Sequence, residues 1–128
     1  MATGNFVLDK GYRAAGALTK FRAVKFSAAE TVTPCTAITD QIAGIVQFGV
    51  TAGELAKGKG ALVRTMGQSE MEAAAAITVG AAVCINASGQ ATVATTGARV
   101  VGTCVGHPAA TAGDRITVRL AVGGALSP

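Results

Sequence analysis

The sequence predicts a mostly β domain made of two similar halves, preceded by an extended basic arm. Three observations carry this expectation. Apolar residues alternate with polar ones at period two near the C-terminus; a pattern recurs after about 58 to 60 residues; and small residues carry the apolar half of the chain, with Trp absent and aromatics at 4%. At 128 residues the chain suits one domain. Its expected layout is an arm over residues 1–20 and a single β domain over 21–128.

The repeat is seen by setting "VKFSAAETVTPCTAITDQIAGIVQFGVTAGELAKGKGALVRTMG" against "VCINASGQATVATTGARVVGTCVGHPAATAGDRITVRLAVG". Val24 meets Val83, Ala28 meets Ala87, Gly44 meets Gly102, and Thr51-Ala52-Gly53 meets Thr111-Ala112-Gly113. The spacing drifts by a residue or two, which implies small insertions in loops. Each unit then holds two or three strands.

"IAGIVQFGV" and "VVGTCVG" are nearly continuous apolar runs, as central strands covered on both faces would be. Gly44 and Gly102 interrupt them where a strand bulges or another backbone comes close. "TAGE" and "TAGD" read as turns, with Gly53 and Gly113 free to take positive φ. "ALVRTM" is a strand with weak alternation. "SEMEAAAAITVG" is ambiguous: Ser69 and Glu72 have capping-box spacing and four alanines follow, yet the segment runs into strand-like "AAITVGAAVCI". Strand or irregular structure, with at most one helical turn, is the expectation. "NASGQ" forms a hairpin loop between "AAVCI" and "ATVAT". In "RITVRLAV", Ile116, Val118, Leu120 and Val122 face one way, and Arg115, Thr117 and Arg119 the other.

The net charge of +4 is uneven. Residues 1–25 carry Lys10, Arg13, Lys20, Arg22 and Lys25 against Asp9 alone, whereas the remainder holds six basic and six acidic residues. Such a leader serves as a nucleic-acid arm, an arm gripping an acidic protein surface, or a solvated tail. Its charge is sparse and its interleaved aromatics are only Phe6, Tyr12 and Phe21, which argues against nucleic acid. No apolar run reaches the roughly 18 to 20 residues of a spanning helix, and the first residues lack the order of a secretory signal, so neither membrane nor export is expected. Cys35, Cys84 and Cys104 form no CxxC or Cys/His cluster and read as buried free thiols.

Chemistry-bearing patterns are missing. The one histidine, His107, precedes Pro108 without an acid or cysteine at ligand spacing. "GKGA" at Gly58 to Ala61 lacks the spacing and the Lys-Ser/Thr ending of a phosphate loop, and no GxSxG, HExxH or GxGxxG occurs. Glu70 and Glu72 lie two apart, as on a solvated strand face. No catalytic residue, cofactor, metal site or small-molecule substrate is therefore expected, and a binding or structural module fits better than an enzyme.

Three stretches, "FRAVKFSAAETVTPCTAITDQIAGIVQ", "AAAAITVGAAVCINASGQATVAT" and "RVVGTCVGHPAATAGDRITVRLAVG", together resemble the small head-decoration, or capsid cement, proteins of tailed bacteriophages. The resemblance spans roughly residues 21–122. It implies a compact β-clip or β-tulip type of small barrel and a homotrimer on the outer surface of the virion capsid at three-fold or quasi-three-fold positions. The implied partner is the major capsid protein of the expanded head, stabilised against the pressure of packed DNA, after synthesis in the host cytoplasm. On that expectation Phe6, Lys10, Tyr12, Arg13, Lys20, Phe21 and Arg22 form a capsid-binding arm; Gly44, Gly53, Gly102 and Gly113 are read from the sequence as structural turns. A host- or carbohydrate-binding module of a phage tail or fibre is the alternative, disfavoured by the scarcity of Trp and Tyr for sugar stacking. A small enzyme with its site between subunits is a third reading, without visible motifs.

Overall fold

Residues 8–106 and 111–121 are described by the computed structural model, and among them ten strands and one short helix follow in order. The first half contains β1 (Leu8–Ala14), β2 (Ala23–Ala28), β3 (Thr31–Pro34), β4 (Gly44–Val46), α1 (Ala52–Ala56) and β5 (Ala61–Met66). The second contains β6 (Gln68–Glu72), β7 (Ala82–Ile85), β8 (Ala91–Val93), β9 (Val100–Gly106) and β10 (Arg115–Leu120). The first five strands close into a barrel in the order β1-β3-β2-β4-β5, and the last five form a sheet in the order β6-β10-β9-β7-β8.

These are one topology written twice. β1 runs parallel to β3 through Arg13–Thr31 and Ala14–Val32, and the edges of the second sheet meet at a parallel bridge between Ala73 and Ala91, each 59 residues later (73 − 14 and 91 − 32). Val24 faces Gly44 in the first half as Val83 faces Gly102 in the second. Loop bonds repeat too: Phe21 N donates to Val46 O at 2.8 Å, and Gly80 N to Cys104 O at 2.7 Å. The backbone takes a left-handed turn at Phe21 (φ 63) and Glu30 (φ 53), and their counterparts are Gly80 (φ 90) and Gly89 (φ 75). A side chain there costs about 1–2 kcal/mol, which the second half avoids. The duplication inferred from residue matches is thus a repeat of the chain path.

Sequence expectations and structure agree closely on the strands. Ile116 and Val118 are buried while Arg115 and Arg119 are exposed. "SEMEAAAAITVG" forms β6, a bridge and a bend, with no helix. "NASGQ" closes the β7–β8 hairpin, where Asn86 Oδ1 accepts from Ser88 N and Gln90 N, both at 2.9 Å. Gly44 and Gly102 sit inside β4 and β9, not at turns, and each lets a facing strand come close: a Cβ on either would collide with the main-chain carbonyl of Arg64 or Arg119. Gly113 is in a turn with φ 92.

Two further expectations differ. Gly53 lies in the short helix α1, because Thr51 and Glu54 form a capping box: Glu54 N donates to Thr51 Oγ1 at 3.1 Å, and Thr51 N to Glu54 Oε1 at 3.0 Å. The matching Thr111 N donates to Asp114 Oδ2 at 3.1 Å, but a turn leads there directly into β10. Residues 8–14, expected in an extended arm, form β1 and are hydrogen-bonded on both sides, to β3 and β5, so over this stretch the leader is part of the barrel.

Two apolar cores result. Leu18, Val24, Val32, Val46, Val50 and Val63 are prominent in the first. Met71, Ile77, Val83, Ile85, Ile116 and Val118 fill the second, and Ala23, Cys35, Ile42 and Ile45 of the first half join them there. β4 therefore serves both cores, Val46 pointing into one and Ile45 into the other. All three cysteines are buried and free, and burial pushes the Cys35 thiol up to about 12, leaving it protonated and inert at neutral pH.

Candidate functional site

The residues expected in the arm fall into two clusters. On the first, Tyr12 of β1 meets Phe26 of β2 edge to face, with centroids 5.1 Å apart, and Lys10 Nζ lies 5.2 Å from the Tyr12 ring while pairing with Glu30 at 3.1 Å. Arg13 is on the same strand, exposed. The second cluster sits at the seam between the halves around Phe21. The Arg115 guanidinium stacks 4.8 Å from its ring and Lys20 Nζ lies at 5.3 Å. Arg22 donates through Nε to Glu72 at 2.8 Å, and Glu72 N donates to Phe21 O at 3.0 Å. Phe6 lies outside the described residues, as does His107.

The fold pairs part of the leader's positive charge. Lys10 pairs with Glu30, Arg22 with Glu72, and Lys25 with Asp40 at 3.0 Å, so three of the five leader cations are matched by acids from later in the chain. Lys20 and Arg13 have no ion pair among the described residues. Phe26, Arg115 and Glu72 belong to these clusters and were missed in the sequence, since only the β2–β3 and β6–β10 pairings bring them there.

Two carboxylates hold the halves and the barrel together. Asp9 accepts from Arg64 Nε and Nη2 at 2.8 and 3.0 Å, and Arg64 Nη1 donates to Gln68 O, tying β1, β5 and the β5–β6 turn. The hydrogen bonds from Arg64 hold the Asp9 carboxyl below its ordinary range, and those from Arg22 do the same for Glu72. A depressed folded-state pKa adds stability that is present above the unfolded value, near pH 4, and is lost as pH falls through the folded value. The melting temperature should accordingly fall between about pH 4.5 and 2.5. Asp9→Asn with Glu72→Gln should flatten that fall in a thermal-melt series; an equal slope in the double variant would contradict the assignment.

Among the described residues no group of three His, Cys, Asp or Glu side chains is placed to hold a metal, and no helix is long and apolar enough to cross a membrane. The described surface offers open grooves, not enclosed cavities. One lies between β1 and the loop after α1, beside Tyr12, Glu30, Leu55 and Lys59. Another adjoins Phe21, Phe48, Arg64 and Glu70. The fold is a small closed barrel joined to a second sheet of the same topology, with aromatic–cation clusters at its surface.

The comparisons place it further. The profile of the phage cement protein family matches residues 1–120, and the chain belongs to that family of phage structural proteins. Among solved structures, the base of the head fibre gp8.5 in bacteriophage phi29 has the same fold: TM-score 0.67, 17% identity, covering 91% of this chain and 95% of that one. No curated protein sequence matches the chain.

Proposed function

We propose that the protein decorates the outer surface of an expanded phage head, binding the major capsid protein as a homotrimer at three-fold or quasi-three-fold positions and stabilising the shell against the pressure of packed DNA. Membership of the cement family carries this reading. A fold shared with the base of a phage head fibre supports a place on the head over the tail-fibre alternative. The closed barrel, the seam between the halves and the matched ion pairs suit a rigid plug, and many weak copies on one shell gain strength through avidity.

The role given to the N-terminal residues narrows with the fold. The seam cluster of Lys20, Phe21 and Arg115 is the contact proposed for an acidic capsid patch, and Tyr12 and Lys10 belong to the barrel. Removing residues 2–20 would delete β1 and test only folding. The decisive experiment adds purified protein to expanded and unexpanded heads that lack it. Selective binding to expanded heads, density at the three-fold positions, and DNA retention at higher temperature are expected. Lys20→Glu should weaken binding by roughly tenfold at low ionic strength and less at high salt. Equal binding to both head forms, or heads no more heat-resistant when coated, would overturn the reading.

A further inference from the structure

The second half buries one end of its sheet against the first half, and the repeat identifies the matching end of the first. At the buried end Met71 and Ile85 are fully enclosed, roofed by Ala23, Cys35, Ile42 and Ile45. Three main-chain bonds seal this seam: Ala23 N to Gly89 O at 2.9 Å, Glu72 N to Phe21 O at 3.0 Å, and Arg99 N to Ile38 O at 2.7 Å.

By the 59-residue offset (71 − 12 and 85 − 26), the counterparts of Met71 and Ile85 are Tyr12 and Phe26. Phe26 is 51% exposed, and Tyr12 is half-buried, packed against the first core. The roofing surface is likewise duplicated. The counterparts of Ala23, Cys35, Ile42 and Ile45 are Ala82, Ala94, Val100 and Thr103, none of them buried. Beside them stand Val79 and Val93, 56% and 45% exposed. One half thus has a partly open end, and the other an unused roof.

We infer that a second copy of this chain brings the two together. The second half of one copy roofs the Tyr12–Phe26 end of the next, repeating between chains the contact made within one chain. Such a head-to-tail contact is heterologous, and it closes into a ring or extends as a fibre according to its rotation. The contact itself stands on the repeat; its closure at three copies rests on the trimer proposed above. The seam between copies is not identical to the internal one. Gly89, where a Cβ would lie 2.7 Å from Ala23 O, is replaced by Glu30, so the copies stand farther apart than the halves do. The Tyr12 and Phe26 rings, larger than the Met and Ile they replace, fill that gap. Arg22 and Glu72 are replaced by Ala81 and Arg13, which leaves the contact between copies without the ion pair and largely apolar.

Light scattering on the full chain and on two exposed-site variants tests this. The wild type should have three times the mass of one chain. Phe26→Asp loses the end, Val93→Asp loses the roof, and each alone should be a single chain with unchanged circular dichroism. Mixed in equal amounts, they should give a species of two chains, because one intact end and one intact roof remain. Phe48→Asp, on the loop after β4 and 56% exposed, should keep the wild-type mass. Wild-type mass in either blocked variant, a mixture that stays as single chains, or a wild type that stays single at high concentration would overturn the contact. Coating of expanded heads is read separately: wild-type protein that coats them despite any of those outcomes leaves the head-binding part of the proposed function standing, without this contact between copies.

Discussion

Gly102→Ala should destabilise the fold by about 3 kcal/mol, the upper end of the cost of overpacking a filled core. The added Cβ would fall within bonding range of the Arg119 carbonyl and 3.1 Å from Val118 Cγ1, so β9 and β10 could not stay paired without shifting. Neither obstacle is the mobile tip of a long side chain, and β10 is held on its other side by β6, so the collision cannot be relieved cheaply. Gly16→Ala supplies the control: nothing lies within 4 Å of a Cβ there, and its effect should stay within about 0.5 kcal/mol. Urea denaturation of both variants decides the matter, and equal midpoints would show that the two strands have more slack than their geometry implies.

Ile45→Ala should cost about 3 kcal/mol as well, for a different reason. Ile45 is fully buried and hydrogen-bonded into the first barrel, yet its side chain fills the core of the second half. Truncation opens a cavity at the only large aliphatic contact that β4 makes across the seam, so it should weaken the coupling of the halves beyond its effect on total stability. Tyr12, the single tyrosine in a chain without tryptophan, reports the first barrel by fluorescence, while circular dichroism reports both. The two probes should give one urea transition in the wild type and separate transitions in Ile45→Ala, with the tyrosine signal the later. Coincident curves at an unshifted midpoint would count against the seam as the coupling element.

Much of this fold could be read in the residues because its constraints are local. Alternation in β10 records one buried and one wet face, and Gly44 and Gly102 record two backbones in close approach. The hairpin at Asn86–Gln90 is written in turn residues. Other features depend on what the chain meets after folding. β1 carries Asp9, Lys10 and Arg13 and so reads as a charged leader, since the arginine and glutamate that pair with Asp9 and Lys10 arrive 55 and 20 residues later. The capping-box spacing occurs at both Thr51–Glu54 and Ser69–Glu72. Only the first starts a helix, because Ser69 is buried in a strand paired with β10. The candidate site was legible in part: Lys20, Phe21 and Arg22 were marked by charge and aromaticity, whereas Arg115 and Glu72 join them only through sheet register.

β1 lies between two neighbours of opposite direction, parallel to β3 and antiparallel to β5. Leu8–Tyr12 are held by the β5 ladder and Arg13 and Ala14 by β3, so tension entering at Leu8 meets the antiparallel rungs first and the parallel ones behind them. With each rung worth about 1 kcal/mol, the two ladders resist in succession, the second holding the strand after the first has given. A strand pulled by that end keeps a second hold where an edge strand would have none.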